Sequence, residues 1–306
     1  MALFIVAIAS ILASLVIWKS HRSIMRVEAE RDILQARWIS KAAIDYSRWI
    51  LYADAKGSHG QLLKIDHLQE PWAQVIPYSK LDQLFIAYRN LENKNLLSQS
   101  ALGGQIIDEQ SKFNIANITD TKAFSTDGIN RLRILFELLQ INEVIFLSFM
   151  EQLKKEKSLW NISGSSHLNL IRLKQKRWSF LEEIVNRLNI ETLKKKKLMR
   201  NLVWLPIKTP VNVNTASIEV ISAVLQERNI EQVEPIMSSI KKFPINSISE
   251  IKAIYNKKLF SKEELDVKSS FFVVSGYANF GKAESGFRAL LHRNGISVEI
   301  FEFQEI

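Results

Sequence analysis

The run MALFIVAIASILASLVIW, residues 1–18, carries no charge before Lys19, and its reading governs the rest of the chain. About 20 apolar residues at 1.5 Å rise cross a bilayer core, so the run is just long enough for a membrane helix. A cleaved signal peptide would need a basic start, a shorter apolar core and a small-x-small cut site. Here the basic start is missing and the core is too long. A buried core helix is the remaining alternative. Ala9 with Ala13 and Ser10 with Ser14 form small-xxx-small pairs, a spacing that lets a second helix approach closely. Plain lipid-facing positions are the alternative for those four.

From Lys19 the text runs on without Gly or Pro until Gly57. Helix formers dominate it, and Val27, Leu34, Trp38, Ala42 and Trp49 recur at roughly helical spacing. One helix is therefore expected to pass from the membrane into the soluble part and to lay this apolar stripe on whatever follows.

The chain has 306 residues, enough for one anchor plus one or two compact domains. Its 47% hydrophobic content supports a real core and argues against disorder. With no cysteine there is no disulfide framework, thiolate metal site or thiol nucleophile. The net charge of +9 suits an anionic partner such as nucleic acid or lipid headgroups, and equally a basic soluble surface. Lys19, Arg22 and Arg26 follow the apolar run directly. Lys and Arg ordinarily stay cytoplasmic, so these three alone would hold the bulk of the chain inside; a basic leader ahead of Met1 would reverse that.

Beyond a loop-like GSHGQLLKIDHLQEPWAQ (57–74), residues 80–97 read as helical. Gly103-Gly104 then introduces two β-like runs, 105–108 and 112–115, with Glu109-Gln110-Ser111 as the turn of an expected hairpin. From 119 to about 268 the pattern is helical, with stripes at Leu132, Leu135, Phe136 and Leu139, at Ile145, Phe149, Met150 and Leu153, and at Trp178, Leu181, Val185 and Leu188. Ser179/Glu182, Ser247/Glu250 and Ser261/Glu264 have the spacing of capping boxes. The basic runs KKEK (154–157) and KKKK (194–197) suit solvated faces. The tail changes to period two, with strands expected over 269–281, 286–293 and 297–304 and Asn294-Gly295 as a tight turn. A closing β-meander paired with the earlier hairpin makes the helical block an insertion in a small α+β domain. The fold class expected is α+β: a transmembrane helix (1–18), a long helix and first hairpin (19–118), an all-α insertion (119–268) and a β-meander (269–306).

Five stretches in this order resemble the minor pseudopilin K family of the type II secretion system, whose subunits are type IV pilin-like. They are the apolar helix leading into AERDILQARWISKAAIDYSRWIL (29–51), IDHLQEPWAQ (65–74), IIDEQSKFNIANI (106–118), TPVNVNTASIEVISAVL (209–225) and SSFFVVSGYANFG (269–281). The resemblance makes Glu70, Trp72, Asp108, Glu109, Phe113, Asn114, Asn117, Asn212, Asn214, Thr215 and Ala216 its signature positions. It implies a pilin-like domain with a large helical insertion, anchored in the bacterial inner membrane with the soluble part in the periplasm. It also implies a complex with the minor pseudopilins I and J at the tip of a short fibre, contact with the major pseudopilin G and the inner-membrane assembly platform, and no enzymatic activity. The partner-helix interface would be Ala9, Ser10, Ala13 and Ser14 with Val27, Leu34 and Trp38. Ile5 stands where ordinary pilins carry a glutamate, in keeping with a subunit that has none above it.

The chain departs from the family in three places. No leader precedes the apolar run, and EQLKKEKSLWNIS (151–163) is basic where the family often has an acidic segment. Calcium is implied by the resemblance, but oxygen-ligand sites want clustered carboxylates, and no calcium ligand is assigned from the sequence. In VNVNTASIEVISAVL, Asn214 or Thr215 is the expected helix cap, with Glu219 at the positive helix end. The same phrase is similar to the helix-hairpin-helix of DNA receptors. However, neither LQERNIEQVEP (225–235) nor EEIVNRLNIETLKK (182–195) has the glycine of a phosphate nest. Both read as structural helical units, with membrane-tethered nucleic-acid binding as the alternative. The five histidines are scattered, and no GxSxG, HExxH or Gly-rich phosphate loop occurs. Asp108 and Glu109 are explained by the solubility of a turn, and Trp72 as a core anchor.

Overall fold

The computed structural model describes residues 2–57, 65–84, 94–118, 124–162, 180–250 and 264–306. Helix α1, Ala2–Lys56, is a single 55-residue element, about 80 Å long at 1.5 Å per residue. It is long and apolar enough at its start to cross a membrane. Up to Gln35 it makes almost no packing contact; from Ala36 one face is buried. That face is Ala36, Ser40, Ala43, Ile44, Ser47, Leu51 and Ala55. This corrects the expected stripe: Val27, Leu34, Trp38, Ala42 and Trp49 all point outward. The reason is steric. Alanines and serines at i, i+4 and i+7 let the helix lie close on a flat sheet, where tryptophans could not fit.

The main sheet is built from β1 (Ile76–Lys80), β2 (Ser100–Asp108), β7 (Phe271–Phe280), β8 (Ala283–Asn294) and β9 (Ser297–Glu305). These five strands are antiparallel and lie in the order β1-β2-β7-β8-β9. Strict alternation sorts their side chains. Ile106, Phe272, Val274, Phe287, Ala289 and Leu291 pack under α1 with Ile44, Leu51 and Trp72. Phe271, Val273 and Leu290 pack on the opposite face against Val203 and Leu205. The sheet is thus held between α1 and a segment of the helical block.

The chain leaves the sheet at Asp108 and returns at Phe271, and Asp108 pairs with Phe272 in the β2–β7 ladder. The intervening block therefore springs from one end of two adjacent strands. Its main elements are β3 (Phe113–Asn114), α4 (Thr126–Leu138), α5 (Glu143–Ile162), α6 (Thr192–Asn201), β4 (Leu202–Val203), β5 (Val211–Asn212), α7 (Ile218–Val224), α8 (Ile230–Lys242) and β6 (Leu265–Asp266). Residues 180–187 are also helical. Phe136, Phe146, Phe149 and Trp204 are buried in its core, with Phe136 edge-on to Phe146 at 5.3 Å between ring centroids.

Several local readings shift. The expected hairpin does not form. Residues 109–111 are a 3-10 turn whose N-terminal cap is Asp108, and Phe113–Asn114 pairs in parallel with Leu202–Val203. A short strand at 76–80 and two short helices, α2 (Leu81–Leu84) and α3 (Lys94–Gln99), occupy the described part of 76–99; residues 85–93 of the expected helix lie outside the described residues. The cap of α7 is Ser217, whose Oγ accepts from Val220 N at 3.2 Å; Asn214 and Thr215 point elsewhere. Of the three capping boxes, Ser247/Glu250 is described. Ser247 Oγ accepts from Ser249 N, and Glu250 reaches back to Asn246 N at 3.2 Å rather than to Ser247. Ser179, Ser261 and Trp178 lie outside the described residues.

The β8–β9 turn moves by one residue. Asn294 pairs with Ser297, so the two loop residues are Gly295 and Ile296. Of these, Gly295 alone has positive φ, at 60°. A two-residue turn with glycine first and one positive φ is of type II′, not the type I′ that Asn-Gly favours. Both sheet edges discourage further pairing. Pro77 interrupts β1, and the β8–β9 register breaks between Leu290 and Leu291, opposite Phe301.

Candidate functional site

Where β2 and β8 run out from under α1, the next inward positions are polar. Asp108 follows Ile106, and Arg293 follows Leu291. Both are buried, and the residues around them form one continuous network. Asp108 accepts from Gln110 N at 2.8 Å, Thr215 Oγ1 at 2.5 Å, Ser269 Oγ at 2.6 Å and Asn212 Nδ2 at 3.1 Å. Asn212 Nδ2 also donates to Asp66 O. Asp66 accepts from Ser269 N at 2.7 Å and is ion-paired with Arg293, which also holds Asp54 of α1 at 3.1 Å. The Arg293 guanidinium lies 4.7 Å from the Phe272 ring centroid. Glu70 accepts from His67 N at 2.9 Å and from Trp72 Nε1 at 2.7 Å. Through these bonds the end of α1, the 65–72 segment, two strands and the helical block are tied at one point.

A second set fastens the block to itself. Asn114 donates to Ile207 O and Thr209 Oγ1 and accepts from Ala116 N and Leu205 N. Asn117 exchanges bonds with Thr209 N and O, and Asn214 with Ile245 N and O. Buried amides thus replace missing ladder partners for segments too irregular for a sheet. Phe113 and Ala216 are buried beside them. All eleven signature residues therefore lie in or next to this junction. The solubility reading of Asp108 and Glu109 is corrected: both are buried, and Glu109 pairs with Lys112 at 2.7 Å. Sequence reasoning did not single out Asp54, Asp66, Gln110, Ser269 or Arg293. The available signal was a cation at the inward phase of an otherwise apolar strand, GFRALLHR.

Asp54 and Asp66 are ion-paired with the Arg293 guanidinium, and Glu70 also feels its charge; Asp108 is held by neutral donors instead. Burial, with Glu70 adding to it, pushes the Asp54 carboxyl up to about 7. Burial pushes Asp108 up to about 6 against the opposing bonds from Ser269 and Thr215. It also raises Glu70 and lowers His67. Asp54, Asp66 and Glu70 converge closely enough to offer a metal three oxygens. With the Arg293 guanidinium seated between Asp54 and Asp66 they do not fit calcium, whose charge that cation would oppose. The Arg293 donors already hold Asp54 and Asp66, and Glu70 is bonded to Trp72 and His67. The two hydroxyls beside Asp108, of Ser269 and Thr215, are buried and spend their protons on its carboxylate; the arrangement locks elements together.

The candidate interaction surface is α1. Val27, Leu34, Trp38 and Trp49 are 54–64% exposed, and Trp49 stacks on Tyr46 at 5.8 Å. Beside Trp49, an open apolar groove of about 560 Å³ runs between α1 and the β1–β2 edge. Ala9, Ser10, Ala13 and Ser14 are exposed in the apolar run, and Ser10 Oγ is satisfied by Val6 O at 2.9 Å. The turn between α7 and α8 offers little to a phosphate. Gln226 takes the positive φ, 56°, that a glycine would, and the N–H groups of Gln226 and Glu227 donate to Ala223 O and Ser222 O.

No protein-family model and no curated protein sequence matches this chain. Its fold is that of a chain in the crystal structure of the GspK-GspI-GspJ complex from the type 2 secretion system of enterotoxigenic Escherichia coli. The TM-score is 0.59 at 15% identity, over 92% of this chain and 99% of that one. At that identity the likeness is one of fold.

Proposed function

We propose that the chain is the K-type minor pseudopilin of a type II secretion system. In this reading α1 anchors it in the bacterial inner membrane, and the sheet and helical block lie in the periplasm. With the minor pseudopilins I and J it caps the pseudopilus tip and starts fibre assembly, so that folded proteins are exported across the outer membrane. Its role is structural rather than enzymatic, and the major pseudopilin and the assembly platform are its further partners. The observation that carries this reading is the near-complete overlap in fold with a chain of the GspK-GspI-GspJ complex, joined to five ordered sequence motifs. The outward aromatic stripe on α1 supports it. In a lone subunit, Trp38 and Trp49 at 64% and 58% exposure waste apolar surface, and a second helix would cover it.

Co-purification of the full chain in detergent with full-length I and J proteins from the same organism tests this. The expected result is a stable ternary complex that weakens when Trp38 and Leu34 are replaced by alanine. A folded chain that captures neither partner, or a complex indifferent to both substitutions, would overturn it. Salt-dependent binding of duplex DNA by the same preparation would instead favour the nucleic-acid reading.

A further inference from the structure

Between the apolar run and the first buried residue of α1, Ala36, lies a bare helical stalk. Its first three charges, which precede any carboxylate, lie on one side. At about 100° per residue, Lys19, Arg22 and Arg26 fall within a ~60° arc of the helix, while Val27, Leu34 and Trp38 cluster roughly 110° away from the centre of that arc. The cations continue the helix face that, higher up, carries Ala36, Ser40, Ile44 and Leu51 onto the sheet. The stalk therefore has one apolar side suited to a partner helix and a separate basic side that such a partner would leave uncovered.

We propose that this basic face is a binding site for anionic phospholipid headgroups; the inference rests on the membrane-anchored reading of α1. Its position fits. Lys19 is the first residue after the apolar run. The seven residues to Arg26 rise about 10 Å, close to the roughly 5–8 Å headgroup layer of one leaflet. Trp18 marks the interface, and the Arg22 guanidinium sits 4.7 Å from its ring centroid, which holds that cation against the boundary where headgroups lie. The chemistry fits as well. None of the three cations has a carboxylate partner among the described residues. The first carboxylates of the chain, Glu28 and Glu30, come only after Arg26. A lipid phosphate can accept from two guanidinium N–H groups at once, and lipids free to diffuse can gather on one side of a helix.

The test uses the full chain in nanodiscs of equal parts phosphatidylglycerol and phosphatidylcholine, each spin-labelled in turn. Motional restriction of the label reports lipid held at the protein. Phosphatidylglycerol should be held in preference, by roughly five-fold for each cation engaged, and the preference should fall in 1 M salt, where screening acts within about 3 Å. The variant Lys19→Gln/Arg22→Gln/Arg26→Gln should still insert and hold both lipids equally, whereas Lys19→Arg/Arg22→Lys/Arg26→Lys should keep the preference. Insertion with equal occupancy in the wild type, or a preference the glutamines leave intact, would overturn the lipid site and spare the anchor. Failure of the folded chain to insert into either lipid would overturn the anchor and the site together.

Discussion

Replacing Asp108 by alanine should loosen the junction between sheet and helical block. Asp108 is 2% exposed and accepts four hydrogen bonds, three from the side chains of Asn212, Thr215 and Ser269. A buried donor left without a partner costs about 1–3 kcal/mol. Asn212 keeps Asp66 O, and the Thr215 hydroxyl can turn to Asn212 O, 3.4 Å away. Allowing for these and for the relief of one buried charge, a loss of about 3 kcal/mol is expected at pH 7.5. The loss should depend on pH. Burial raises Asp108 to about 6 in the fold from 3.8, so the native state binds its proton more tightly than the unfolded chain. Its contribution to stability therefore grows as pH falls through 6 and levels off below about 4. The gap between wild type and Asp108→Ala should widen by about 1 kcal/mol between pH 7.5 and pH 5. Asp54 and Glu70 titrate in both proteins and largely cancel in the difference. Urea unfolding of the full chain in a mild detergent, followed by the fluorescence of buried Trp72 and Trp204, measures it. A loss under 1 kcal/mol at pH 7.5 (well below the estimate), or a gap that narrows in acid, would refute the reasoning.

Arg293→Met removes the one guanidinium between Asp54 and Asp66. It should cost about 3–5 kcal/mol, with partial recovery as pH falls from 7.5 to 5 and the raised Asp54 and Glu70 take up protons; thermal unfolding across that range checks it. In Gly276→Ala the new Cβ would come within 2.2 Å of Gly103 O in the centre of the sheet. Soluble expression of folded protein should fall sharply, with strand amide exchange accelerated at β2 and β7. Trp38→Ala and Trp49→Ala, at exposed positions, should change unfolding free energy by no more than about 0.5 kcal/mol. They should nevertheless weaken capture of the minor pseudopilins proposed as partners about ten-fold or more in a titration.

The period of the apolar residues was enough to read a helix start long and apolar enough to cross a membrane, the uninterrupted α1, the helices of the described part of the insertion and the closing three-stranded meander. These features depend on local propensity and burial phase, which a sequence displays directly. The signature residues were legible as a set, but their work was not. Asp108 and Glu109 look like turn acids until β2 is placed beside β7, which carries them under the helical block. Asn212, Thr215 and Ser269 reach Asp108 across 104 to 161 residues of chain, a distance over which no spacing rule operates. The outward face of α1 was likewise hidden. Both faces of that helix have helical period, and a sequence shows where large residues recur, not which face a flat sheet accepts. The sheet took the small face, Ala36, Ser40, Ala43 and Ser47, because close approach buries more surface than a tryptophan stripe held at a distance. The hairpin at 105–115 failed for a similar reason. Phe113–Asn114 found a partner in Leu202–Val203, and strand pairing over such a separation is decided by the packing of the block between them. Length, period and charge order thus determined the elements of this protein. Which faces meet, and which buried charges must share one arginine, was decided only when the elements packed, because burial and desolvation belong to the assembled fold.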